Sequence, residues 1–315
     1  MSRILITGAS GFIGRAMVRA FAADGRTLRA AARRAPQPQL PETVELAQHG
    51  DLAQPVDWRS ALDGVAQVVH LAGIAHAGRG VAEEQYDRVN REATARLAEA
   101  ALRAGVRQFV FVSSIRAQSG PAADHALSER DRAAPSDAYG RSKLAAEEAV
   151  RAAGVPFTIL RPVLVYGAGV KGNFATIWRL AQSRLPLPVK DFSNRRSFLG
   201  LDNFVSALSF VLATPATIGE TYIVADPGVP PRLAEVIAIM RQATGRRPLL
   251  LPMPMQCVEI PLRIAGRGDL WERLGGNLRV DVGKLIAAGW QPRHDTRAGL
   301  TVFARDAKRS SRQAA

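Results

Sequence analysis

Arg3-Ile4-Leu5-Ile6-Thr7-Gly8-Ala9-Ser10-Gly11-Phe12-Ile13-Gly14 is the stretch on which the fold turns. Its first five residues form a short apolar run of the kind that makes a buried parallel strand, and from Phe12 to Ala23 apolar residues recur at helical spacing. A glycine turn therefore joins a strand to a helix. In such a turn Gly8 permits the tight bend, Gly11 lets a pyrophosphate approach the backbone, and Gly14 lets the helix sit close to the strand. Phe12 and Ile13 open a helix whose free N–H groups and positive dipole end face those phosphates.

Outward from this turn, strand patterns at Thr27 to Ala32, Val44 to His49, Gln67 to Leu71, Gln108 to Val112 and Phe157 to Leu160 alternate with helical patterns near 81 to 104 and 136 to 153. Alternation of this kind predicts an α/β fold with a doubly wound parallel sheet, whose ligands bind beyond the carboxyl ends of the strands. From about Gly167 the rhythm loosens as prolines divide the chain into short elements, with helices expected at 172 to 183, 202 to 213 and 232 to 244. The expected organisation is a dinucleotide-binding domain over 1–166, a smaller substrate lobe over 167–306 that possesses elements able to return to the first domain, and a frayed basic tail over 307–315.

Composition narrows the function. The 42 Lys and Arg exceed the 28 Asp and Glu, a formal charge of +14, but the basic residues are mostly arginine spread along the chain, and aromatics make up 6%. Stacking platforms for nucleic acid are poorly supported, so no nucleic-acid partner is expected. No apolar run reaches the ~18 residues of a membrane span. Arg3 already lies in the first strand, leaving no room for a signal peptide, and a cytoplasmic location is expected. Cys257 is the single cysteine, which rules out an intrachain disulfide and a thiolate metal cluster, and no metal is expected.

A second motif carries chemistry. Tyr139 and Lys143 stand four apart in a helical pattern that begins after Pro135-Ser136-Asp137, so their side chains share a face. A free tyrosine, with a pKa of about 10, is too weak an acid for neutral pH. A lysine ammonium one turn away favours the phenolate and can hold the nicotinamide ribose. Tyr139 could then exchange a proton with a substrate oxygen as hydride moves at the attached carbon, with Ser114 at a strand end orienting that oxygen. After the second strand the chain reads Arg29-Ala30-Ala31-Ala32-Arg33-Arg34, with no acid to meet an adenosine ribose. Arg33 first, and Arg34 second, would attract a ribose phosphate, which favours NADP(H) over NAD(H).

With these residues in place the chain resembles the extended short-chain dehydrogenases/reductases, the epimerase/dehydratase type built on a Rossmann domain. The resemblance rests on the glycine turn, Gly50-Asp51-Leu52, His70-Leu71-Ala72-Gly73, Asn90, Ser113-Ser114, Tyr139-Gly140-Arg141-Ser142-Lys143 and Leu160-Arg161-Pro162. It implies a catalytic set of Ser114, Tyr139 and Lys143, adenine recognition by Asp51, and further cofactor contacts at Leu52, Leu71, Ala72, Gly73, Asn90, Val112 and Pro162. Val165-Tyr166-Gly167 with Asn173-Phe174, and Arg196-Ser197-Phe198-Leu199-Gly200-Leu201-Asp202-Asn203, resemble the nucleotide-sugar branch. There Asn173, Phe174 and Arg196 would meet the substrate, Arg196 through a phosphate.

Dehydratases of the family carry Asp and Glu after the catalytic hydroxyl, whereas Ile115-Arg116 follows Ser114 here. Two reactions at a sugar carbon are left. The favoured one is reduction of the C4 ketone of a UDP-4-keto-6-deoxy-hexosamine in surface polysaccharide biosynthesis. The alternative is a 4-epimerase of the UDP-glucose or UDP-GlcNAc type with retained NAD. A cofactor-sensing protein without catalysis is a lesser alternative, and the presence of both Tyr139 and Lys143 speaks against it. The resemblance also implies a homodimer paired through the helices near 81 to 104 and 136 to 153.

Overall fold

A computed structural model describes residues 3–34, 39–75, 81–264, 266 and 275–313. Its centre is a seven-stranded parallel sheet. The strands are β1 (Arg3–Thr7), β2 (Leu28–Ala32), β3 (Val44–Gln48), β4 (Val65–His70), β5 (Gln108–Val112), β7 (Phe157–Pro162) and β10 (Thr221–Val224), in the spatial order β10-β7-β5-β4-β1-β2-β3. The strand order reverses between β1 and β4, which creates a crevice at their carboxyl ends. Short pairs lie outside this sheet: β8 (Leu164–Tyr166) with β9 (Phe198–Gly200), and β6 (Ala126–Leu127) with β11 (Arg279–Val280).

Helices cover both faces because each presents one apolar stripe. α1 (Phe12–Ala23) buries Gly14, Met17, Val18 and Phe21, the spacing of one helical face. With α7 (Leu201–Ala213) it closes one side of the sheet, over a core that includes Ile4, Ile6, Phe204 and Leu208. The other side is covered by α4 (Ala93–Arg103) and α5 (Ala138–Ala152) over Leu5, Val68, Leu97, Phe109 and Phe111. Two short helices, α2 (Arg59–Leu62) and α3 (Glu83–Tyr86), complete this half.

The remaining helices are α6 (Gly172–Gln182), α8 (Leu233–Ala243), α9 (Gln256–Ile264), α10 (Gly283–Ala287) and α11 (Thr296–Gln313). α6, α8 and α11 enclose a third core of Tyr166, Phe174, Ile177, Ile237, Met240 and Phe303. β10, from this later part of the chain, pairs with β7 and forms an edge of the main sheet. Among the described residues no helix is long and apolar enough to cross a membrane.

Candidate active site

The glycine turn has the tightness its sequence predicts. Gly8 has φ +68°, and a Cβ there would lie 2.7 Å from the Ala72 amide nitrogen. A Cβ on Gly14 would collide with the Gly8 carbonyl, and one on Gly11 would stand 3.1 Å from the same oxygen. Only glycine fits at the first position on both counts. The backbone thus leaves an uncrowded cradle at the start of α1 beside the β4 end, and these residues fit a dinucleotide pyrophosphate. Arg33 and Arg34 are exposed just beyond β2. Asp51 is exposed and accepts from the Ala53 amide at 3.0 Å, while Leu52 is buried.

Ser114 follows β5 and caps a short 3-10 turn, Ile115–Ala117, by accepting from the Arg116 amide at 3.2 Å. Its hydroxyl also hydrogen-bonds Tyr139. Asp137 caps α5 by accepting from the Gly140 amide at 2.7 Å, and its other oxygen takes the Arg116 guanidinium at 2.5 Å. Gly140 is required here: a Cβ would collide with the Arg116 carbonyl. The Ser114 turn and the Tyr139 helix are therefore held together by one arginine and one glycine. Arg116, whose chief interest in the sequence was that it is not an acid, has this tethering role.

Lys143 lies one turn beyond Tyr139 and donates to the Val112 carbonyl at 2.7 Å, with its ammonium 4.2 Å from the centre of the Phe111 ring. Burial pushes its pKa down to about 7, against a smaller opposing pull from Glu147. Tyr139 is half-buried, and desolvation pushes its phenol up to about 12, against the Ser114 hydrogen bond and a smaller pull from Arg116. This direction is opposite to the lowering expected from the Tyr139–Lys143 spacing. Desolvation of the phenolate is the largest influence, and the positive charge that opposes it is that of Arg116.

Two buried networks support this pair. In the first, the Ala72 amide donates to Thr7 Oγ1 at 3.3 Å, and Thr7 Oγ1 meets His70 Nδ1 at 2.7 Å. His70 Nε2 meets Thr94 Oγ1 at 2.9 Å, and that hydroxyl donates to the Asn90 carbonyl at 2.6 Å. Because Thr94 spends its proton on a carbonyl, Nε2 must carry the imidazole proton and Nδ1 must accept. His70 is accordingly neutral, with burial pushing its pKa down to about 3, and its ring stacks on Phe111 beneath Lys143. In the second network Glu147, with no exposed surface, accepts from Ser113 Oγ at 2.6 Å and from Arg161 at 2.6 and 2.8 Å. Glu147 had a legible signal, since it lies four residues after Lys143 on the same helical face. His70 was legible as the first residue of the His70-Leu71-Ala72-Gly73 motif, but its buried hydrogen-bond network was not.

Asn90, expected at the cofactor, is 1% exposed and its amide is engaged by protein groups. It accepts from the Ile74 amide at 2.8 Å and donates to the Ile74 carbonyl and to Ser142 Oγ. A π-helical turn, Asp87–Glu92, joins α3 to α4 and carries this residue. The single helix expected near 81 to 104 is therefore interrupted where Asn90 ties the β4 end to α5. Leu71, Ala72 and Gly73 line that β4 end, Val112 offers its carbonyl to Lys143, and Pro162 is buried at the end of β7.

The substrate-side expectations divide. Asn173 is half-buried in the first turn of α6. Phe174, placed beside it in the sequence as a substrate contact, has no exposed surface and stacks on Tyr166 with ring centres 5.1 Å apart. Its side chain belongs to the third core, a correction that follows from helical spacing with Ile177. Arg196 donates to the Gly276 and Pro121 carbonyls at 2.8 and 3.1 Å, and burial lowers its pKa to about 10, helped by the neighbouring Arg116. Two cavities, of about 420 and 480 Å³, lie elsewhere and are not lined by Ser114, Tyr139 or Lys143.

Glycine cradle, hydroxyl–phenol pair and buried lysine together define an enzyme of the short-chain dehydrogenase/reductase type. Residues 4–225 match the model of the NAD dependent epimerase/dehydratase family, and the chain belongs to that family. It is 31% identical to a UDP-glucose 4-epimerase of Vibrio cholerae over 308 residues, 94% of this chain and 93% of the relative. It is 30% identical to a ceramide reductase of Caulobacter vibrioides over 295 residues, 92% of this chain and 86% of the relative. Among solved structures, MoeE5 in complex with UDP-glucose and NAD superposes with a TM-score of 0.75 at 26% identity, covering 98% of this chain and 100% of that one.

Proposed function

We propose that this protein is an NADP(H)-dependent oxidoreductase that reduces the C4 ketone of a nucleotide-diphosphate sugar, a UDP-4-keto-6-deoxy-hexosamine. The observation that carries the reaction is the arrangement at the head of α5, where Ser114 hydrogen-bonds the Tyr139 phenol one turn from the buried Lys143. A phenol held in its neutral form is the state needed to give a proton to a carbonyl oxygen that is gaining charge. Ser114 orients that oxygen. The bound dinucleotide supplies the hydride. Gly8, Gly11 and Gly14 leave the backbone open to its pyrophosphate, and Lys143 stands one turn from Tyr139 to hold its ribose. Arg33 and Arg34 receive the ribose phosphate, which favours NADP(H). Asn173 and Arg196 are the substrate-side candidates, Arg196 through the N–H groups its two carbonyl bonds leave over.

A second reading, a 4-epimerase that retains NAD, is favoured by the similarity to the Vibrio cholerae UDP-glucose 4-epimerase over nearly the whole chain. It requires Tyr139 to act first as a base. The two readings separate in one assay. Purified protein is given a UDP-4-keto-6-deoxy-N-acetylhexosamine with NADPH or NADH, and cofactor oxidation is followed. Stoichiometric oxidation, faster with NADPH and slowed when Arg33→Asp is introduced, is the expected result. Interconversion of UDP-hexose C4 epimers with no net oxidation would replace the reductase by the epimerase.

A further inference from the structure

The cavity of about 480 Å³ lies far along the chain from the residues just described, between the end of α6, the end of α8 and α11. Its lining includes Arg184, Arg241, Arg246, Arg247 and Lys308, and no carboxylate is among the described residues that line it. Arg241 is the floor. It is 1% exposed, donates to the carbonyls of Leu249 and Leu185 at 2.9 and 2.8 Å, and its Nε is buried without a hydrogen-bond partner. Arg184 and Arg247 are exposed at the rim. Like charges gathered without an acid repel one another, and that cost is recovered when an anion lies over them.

The second feature is apolar. Leu187 pairs with Leu250 as a short parallel bridge, with Leu187 N to Leu249 O at 3.0 Å and Leu251 N to Leu187 O at 2.9 Å. In this extended stretch Leu250 turns toward the third core, and its neighbours turn to the other side. Leu249 and Leu251 are 48% and 51% exposed, and Leu185, whose carbonyl Arg241 holds, is 70% exposed. Three leucines thus stand in water beside a cluster of five cations.

We propose that this face docks on the surface of an anionic phospholipid bilayer, with Arg184, Arg246, Arg247 and Lys308 among the headgroups and Leu185, Leu249 and Leu251 at the acyl boundary. A free anion would explain the cations and leave the leucines unexplained. A single-stranded nucleic acid would call for stacking groups, and no aromatic residue is among the described residues that line the cavity, while a duplex, like a free anion, would leave the leucines unexplained. A bilayer interface meets both features, since it takes clustered Lys and Arg at its anionic surface and apolar side chains just beneath.

The test is co-sedimentation of the full chain with vesicles of phosphatidylcholine containing about one-third phosphatidylserine, beside vesicles of phosphatidylcholine alone, at about 0.1 M salt. Binding to the anionic vesicles at least about tenfold tighter than to the neutral ones is expected. The triple variant Arg184→Glu/Arg246→Glu/Arg247→Glu should abolish it, and Leu249→Ser/Leu251→Ser should weaken it about tenfold or more while charge dependence persists. Thermal melting and NAD binding unchanged in both variants establish that they fold. Equal binding to both vesicle types, or none to either, would overturn the proposal. So would a leucine variant that binds as wild type does, or a random DNA duplex that displaces the vesicles through the same arginines, which would assign the patch to nucleic acid.

Discussion

Arg161 and Arg241 are both buried arginines, one beneath the catalytic helix and the other in the later lobe, and they are satisfied in opposite ways. Arg161 meets the Glu147 carboxylate with two charge-assisted bonds, while Arg241 meets backbone carbonyls and the Ser183 hydroxyl, all uncharged. The first arrangement cancels charge where the site needs defined protonation states. The second clamps irregular chain and leaves its charge uncompensated. Arg196, bonded to Gly276 and Pro121, follows the second pattern, and Arg195 joins it in part through the Pro230 carbonyl. The excess of positive charge in the composition therefore has a structural meaning: arginines hold together the part of the chain that prolines keep from forming long elements.

Removing one partner from each arrangement sharpens this contrast. Glu147→Gln leaves Arg161 buried without its counter-ion and is expected to lower unfolding free energy by about 3–5 kcal/mol. Arg241→Met removes donors from carbonyls that partly face water, and a smaller loss of about 1–3 kcal/mol is expected. Urea denaturation of both variants measures the difference. An Arg241 variant as damaged as the Glu147 variant would break the comparison.

The pH dependence of stability probes the charge-paired half in a second way. Lys143 has a folded pKa of about 7 against an ordinary 10.5, so between these values the unfolded chain binds more protons. Stability should consequently rise with pH across that window, and the cost of burying the ammonium is fully present below it. His70, at about 3 against 6.5, works at the acid end, where stability should fall as pH drops from 6.5 toward 3. Denaturation midpoints of Lys143→Met and His70→Gln across pH should each lose the corresponding slope. A Lys143→Met profile that still rises between 7 and 10.5 would show that another group carries it.

The sheet was legible because its signals are local. β5 lies where its apolar run predicts it, and α5 begins at an Asp137 cap that the sequence announces. The glycine turn and the Tyr139–Lys143 spacing were legible for the same reason. What the sequence did not reveal depends on pairing across distance. β10 is a short run just before Pro227, Pro230 and Pro231, and only its register against β7 makes it a sheet edge. Periodicity could not show the extra residue of the π turn at 87–92, nor that Asn90 faces Ile74 and Ser142. Phe174 and Arg196 were read as substrate contacts because their segments resemble the nucleotide-sugar branch. Burial in the third core turns Phe174 toward the protein, and Arg196 spends part of its donor set on two carbonyls.

The central claim is that the Tyr139 phenol transfers the proton while the glycine cradle independently holds the cofactor. The most direct measurement is turnover and nicotinamide-cofactor affinity of Tyr139→Phe, which removes one oxygen from a site whose frame is set by Asp137, Arg116 and Gly140. A loss of about 10²–10⁴-fold in kcat with cofactor Kd unchanged is the predicted result. Turnover within a few-fold of wild type, or turnover and cofactor binding lost together, would contradict the account.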